Sequence, residues 1–173
     1  MPYDNTEQEP DRRWVCDGIF QLRNEYHEAA NCLFNEHPTL RDPIHFLYFH
    51  AVELALKAFL RSHNIQILGT WRSRQSGHKL TKLYEECRGL GFTIGPDDKF
   101  EIGNIVSLLE KANEDQGLRY FNPKSGVMAA LSWTREVVEH LMRAVELHLG
   151  AQQGPTSGPA TKLTIILGKP VSK

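Results

Sequence analysis

Apolar residues recur along most of this chain at steps of three and four, the spacing that places them on one face of a helix. Trp14, Ile19, Leu22, Tyr26, Ala30 and Leu33 form the first such series, which Pro38 closes. Thr6 to Glu9 fits a capping box ahead of it, and Pro10 falls where a first helical turn tolerates proline. Asp42-Pro43 predicts the start of a second helix, with Asp42 as its cap, running to about Asn64. Residues 65–76 read as a loop. A third helix is expected from near Gly77-His78 to Gly89 or Gly91, and a fourth after the Gly95-Pro96-Asp97 turn, marked by Ile102, Ile105, Val106, Leu109 and Ala112. Ser125 is positioned to cap a long last helix, with Val127, Leu131, Thr134, Val138, Leu141 and Val145 along its inner stripe and Gly150 as its stop. No two-residue alternation appears before the tail. The predicted fold is all-α, an up-and-down bundle of four or five helices spanning residues 1–150. Residues 151–173 read as a Gly/Pro-rich linker followed by the short, β-branched Lys162–Leu167 segment, an extended tail with strand character.

The second helix departs from the one-sided pattern. Ile44, Phe46, Leu47, Phe49, Ala51, Val52, Leu54, Ala55, Leu56, Ala58, Phe59 and Leu60 cover most of its circumference, so it belongs in the middle of a bundle or at a subunit interface. Its polar residues His50, Glu53, Lys57 and Arg61 make one narrow stripe, with Glu53 four residues before Lys57 in the favourable order for an intrahelical pair. The stripe is either a solvated edge or a polar slot inside an apolar assembly.

Composition narrows the classes. The 173 residues suit one domain, and 20 Lys+Arg against 21 Asp+Glu give a formal charge of -1, which argues against a broad basic face for nucleic acid. No apolar run is long enough to span a membrane, and the N-terminus carries no signal-peptide core, so a cytoplasmic location is expected. Cys16, Cys32 and Cys87 are odd in number, widely spaced and outside any CxxC pair, which suits neither disulfides nor a zinc site. Cys32 and Cys87, in apolar company, are expected in the core.

Three motifs in order, HAVELALKAFL on the second helix, GHKLTKLYEE opening the third and LRYFNP before the last, resemble the HEPN family of small helical-bundle proteins over roughly Ile44 to Leu149. That resemblance implies a four- or five-helix bundle, usually homodimeric, without a metal cofactor. It also implies one of several roles: metal-independent ribonuclease toxin of a toxin–antitoxin or phage-defence system, companion of a minimal nucleotidyltransferase, or nucleotide binder. The family's motif positions place His78 and Arg119 near the helix-two Glu53. An ion pair between Glu53 and Arg119, with Lys57, His78 and Tyr120 around it, is the expected polar cluster, tying two loops to the bundle or holding a ligand.

The ribonuclease branch uses an Arg and a His four to six residues apart on the last helix. Arg135 and His140, with four residues between them, have that spacing, as do Arg143 and His148. Arg72 precedes His78 by six positions. Chance alone gives about one and a half such pairs in a chain with 11 Arg and 8 His, and three occur. Residues five apart on a helix are also rotated by about 140°, so Arg135 and His140 would meet at one phosphate only beside a second copy. His140 would then act as general acid/base and Arg135 would stabilise the charged phosphorane, with Glu136 repelling the RNA backbone next to them. No histidine spacing makes a di-iron or zinc pattern, and no Gly-rich phosphate loop is present. The sequence therefore favours a cofactor-free, non-catalytic binding or regulatory protein. It would act as a homodimer with a nucleotidyltransferase-like or antitoxin partner or with a nucleotide, and RNA enters only under the ribonuclease alternative.

Overall fold

The computed structural model describes residues 12–63, 65, 79–94, 102–114, 117–118 and 128–152. They form five α-helices: α1 (Arg12–Glu36), α2 (Arg41–Ser62), α3 (Leu80–Gly89), α4 (Ile102–Ala112) and α5 (Leu131–Gln152). The fold is an all-α helical bundle, as the periodicity predicts. The capping box at Thr6–Glu9 and the strand-like tail lie outside the described residues.

All four other helices pack on α2. Its apolar circumference is therefore satisfied within one chain: Ile44, Tyr48, Ala51, Ala55, Leu56, Ala58, Phe59 and Leu60 are completely shielded from solvent. Burying each of the large side chains contributes roughly 1.5–3 kcal/mol, which makes α2 the main source of cohesion. α4 adds Ile102, Ile105, Val106 and Leu109, and α5 adds Thr134, Val138, Leu141 and Val145 from the predicted stripe.

Local chemistry explains the helix ends. α1 stops at Glu36 because the backbone before Pro38 disfavours the helical region. α2 begins two residues earlier than expected, with Leu40 and not Asp42 at the cap position and no side-chain cap. The first four helical N–H groups have no intrahelical acceptor, so Pro43 is accommodated inside the turn, where Asp42 faces the positive end of the helix dipole. Glu110 on α4 supplies the missing cap of α3: its Oε2 accepts from the Thr81 backbone N–H at 2.8 Å and from the Thr81 hydroxyl at 2.7 Å. At the other end of α3, Gly91 adopts φ +88°, which lets the Phe92 N–H return to the Cys87 carbonyl and the Gly91 N–H to the Arg88 carbonyl. This is a Schellman stop.

Further expectations need correction. The last helix starts at Leu131, not at Ser125, and Met128–Ala130 are irregular. The Ala129 carbonyl is turned toward the ring of His45 on α2, 3.2 Å away, which diverts it from the helical ladder. α5 also runs through Gly150 to Gln152, since one glycine near a helix end costs only about 1 kcal/mol and need not end the helix. Cys32 is exposed, whereas Cys87 is buried. Helical phase decides this, because Glu25, Glu28 and Cys32 share the outer face of α1. On the same helix Leu22 is 43% exposed, while its neighbour Arg23 is buried in the interior.

Candidate functional site

The polar stripe of α2 is a slot, not a solvated edge. Glu53 and Lys57 are 3% and 8% exposed, and Lys57 Nζ lies 2.6 Å from Glu53 Oε1. The second carboxylate oxygen is 3.5 Å from His50 Nδ1. The His50 ring is enclosed by aromatic neighbours: Tyr26 from α1 at 5.1 Å between centroids, Phe46 at 4.5 Å and Phe49 at 5.7 Å. Arg61 continues the stripe one turn beyond Lys57, and its Nε is buried with no hydrogen-bond partner. His78, Arg119 and Tyr120, the other expected members of the cluster, lie outside the described residues.

The two residues of the ribonuclease spacing are held apart. Arg135 turns toward α1: its Nε donates to Glu139 Oε1 at 2.8 Å, its Nη1 donates to Asn35 Oδ1 at 3.1 Å, and its guanidinium carbon sits 4.9 Å from the centre of the Phe34 ring. The bond to Glu139 raises the already high pKa of the guanidinium. His140 is half-buried, about 140° further round α5. Within one chain the pair does not converge on a common point. Glu136, expected to face the phosphate backbone, is exposed, and Glu139 is the carboxylate that engages Arg135. The four-residue spacing from Arg135 to Glu139 is the sequence signal for that pair.

No family model, curated protein or solved structure matches this chain. The chemistry must therefore be read from the residues themselves.

A second polar network, not indicated by the sequence pattern, joins α1 and α2. Tyr48 on α2 donates its hydroxyl to Asn31 Oδ1 at 2.7 Å, and the Asn31 amide nitrogen lies 3.3 Å from His27 Nε2. With the Asn31 oxygen occupied by Tyr48, the amide nitrogen donates, so His27 Nε2 accepts and the ring carries its proton on Nδ1. Burial is the main force keeping the His27 pKa low. Nearby Glu139 opposes it, while Arg23 and Arg135 reinforce it. Burial also raises the Tyr48 hydroxyl, opposed by Arg135 and reinforced by Glu139.

Two further polar side chains act as ties between helices. Arg23 is 1% exposed, donates Nη1 to the Met142 carbonyl at 3.1 Å and lies 4.0 Å over the Phe20 ring. Desolvation lowers its pKa to about 10, partly offset by Glu146. His45 places Nδ1 at 2.8 Å from the Arg41 carbonyl and Nε2 at 3.2 Å from that of Ala129. Burial outweighs these two contacts and lowers its pKa. Only helical phase marks Arg23 in the sequence, and charge argues the other way, so reading outward from apolar residues misses it.

Among the described residues, no group of three His, Cys, Asp or Glu side chains could hold a metal ion, and no helix is long and apolar enough to cross a membrane. The Cys87 thiol is pushed up to about 12 by burial and points to the Leu56 carbonyl at 3.6 Å, which suits packing and not nucleophilic attack. What the α2 slot offers chemically is a fixed carboxylate, two cations one turn apart and an imidazole in an aromatic box.

Proposed function

We propose that this chain is a non-catalytic, HEPN-like binding or regulatory protein that acts as a cytoplasmic homodimer. Its counterpart is a partner protein of nucleotidyltransferase-like or antitoxin type, or a nucleotide. The observation that supports this reading is the engagement of Arg135 by Glu139 and Asn35, on a different side of α5 from His140. A guanidinium already paired with a carboxylate is poorly placed to stabilise a phosphorane, because Glu139 would repel the same phosphate. The near-neutral overall charge adds to this, since RNA binding draws on an excess of cations.

The ribonuclease alternative requires a second chain to bring its His140 to the Arg135 of the first, with Arg135 released from Glu139. Incubating the full chain with single-stranded RNA in the presence of a chelator separates the two. The expected result is no cleavage. Cleavage that disappears in both Arg135→Ala and His140→Ala would overturn the proposal. Light scattering at micromolar concentration should report a dimer, and a monomer would remove that part of the reading.

A further inference from the structure

Arg61 carries a buried guanidinium N–H with no acceptor, at Nε. Buried polar groups are nearly always satisfied, and one left without a partner costs about 1–3 kcal/mol, more when charged. Among the described residues, none supplies the acceptor this N–H needs.

The rest of the stripe indicates what sort of acceptor. Lys57 stands four residues before Arg61, roughly 6 Å along the axis. Side chains on a helix lean toward its N-terminus, and residues four apart share a face, so Lys57 and Arg61 stand one above the other, short of the carbonyls at the end of α2. Those last carbonyls have other donors. Ser62 Oγ reaches the Phe59 oxygen at 2.7 Å, and the His63 N–H reaches the Leu60 oxygen at 3.1 Å. Glu53 is committed at the opposite end, with one oxygen on Lys57 and the other facing His50. The Lys57 ammonium has three N–H donors and spends one on Glu53. Taking Glu53, Lys57 and Arg61 together, the stripe carries one net positive charge, concentrated at its Arg61 end. Arg61 and His50 are both half-buried, so the slot reaches solvent at its two ends.

We propose that Lys57 and Arg61 form a binding site for a single oxyanion, a phosphate or carboxylate group of a ligand. Two charge-assisted contacts of about 2.8 Å to different oxygens of one such group span roughly 5–6 Å from donor to donor, which matches one helical turn. Glu53 acts as a positioning residue: it holds the Lys57 ammonium at the site without meeting the anion. The site deepens the binding reading given above and rests on it for its biological sense, but the two fail separately. RNA cleavage would remove the non-catalytic reading and leave anion binding as it is.

The test is thermal unfolding and calorimetric titration of the full chain with inorganic phosphate, pyrophosphate and acetate, at ionic strength held constant with chloride. The parent protein should gain melting temperature steadily with the logarithm of anion concentration. Arg61→Gln should weaken the apparent affinity at least tenfold, and Arg61→Lys, which keeps the charge, should retain part of it. The Arg61→Lys variant also keeps the proposal testable if Arg61→Gln folds poorly. A response to phosphate and pyrophosphate alone assigns a phosphate-bearing ligand, and a matching response to acetate assigns a carboxylate. No response to any of the three anions, or equal responses in the parent and both Arg61 variants, would overturn the site.

Discussion

Replacing Lys57 with Met tests the energetics of the α2 slot directly. The pair is short, 2.6 Å, and both members are at least 90% shielded, so solvent screens it little. At an effective dielectric constant of about 20, two unit charges at that distance attract by about 6 kcal/mol. Loss of hydration on both ions offsets much of this, so the pair's net contribution to folding is small. Breaking it is a different matter. Lys57→Met leaves the Glu53 carboxylate buried without its Lys57 partner, and breaking a buried pair typically costs about 3–5 kcal/mol. His50 remains 3.5 Å from the second oxygen, which favours the lower end, about 3 kcal/mol. For a chain of this size that corresponds to a fall in Tm of roughly 6–12 °C. The double variant Glu53→Leu with Lys57→Met removes both charges and fills the slot with apolar volume, so it should unfold at a higher temperature than Lys57→Met alone. Urea and thermal unfolding followed by circular dichroism measure all three. A Lys57→Met protein within 2 °C of the parent, or a double variant less stable than Lys57→Met alone, would refute the buried-pair account.

Other expectations follow from the helix ends and the buried imidazoles. Gly91→Ala should destabilise by about 1–2 kcal/mol in urea unfolding. No atom lies within 4 Å of the added Cβ, so the cost is the left-handed backbone alone, and an unchanged midpoint would argue against the Schellman stop. His27 and His45 both have folded pKa values below their ordinary 6.5, so the unfolded chain binds protons that the native state does not. The stability they contribute is complete above about pH 6.5 and is lost as pH falls through the lower folded values. Tm measured from pH 8 to pH 5 should therefore fall less steeply in His27→Gln than in the parent, and parallel curves would contradict the neutral state assigned to His27.

Much of the architecture is legible in the chain. Runs of apolar residues at steps of three and four dictate helices, because only that geometry gathers them on one side, and the excess of apolar residues on α2 dictates a central place for it. The same local rule pairs Glu53 with Lys57, four residues apart. Which of two environments that pair occupies is not written in the spacing, because burial depends on what other helices lay over the stripe. The start of α5 shows the same division. Ser125 is a sound local cap, yet the helix begins at Leu131 because the Ala129 carbonyl answers to His45, 84 residues away. The sequence reading sets Arg135 only against His140, and Asn35 and Phe34 on α1 hold it beside Glu139 instead. Arg23 is the furthest from sequence reasoning, since only the carbonyl of Met142 and the ring of Phe20 make burial of a guanidinium tolerable. Local periodicity thus determined the helices and the identity of the central one. The protonation of buried groups, the partners of Arg23 and Arg135 and the burial of Arg61 Nε were decided by contacts between segments distant in the chain, where desolvation and long-range pairing outweigh local propensity.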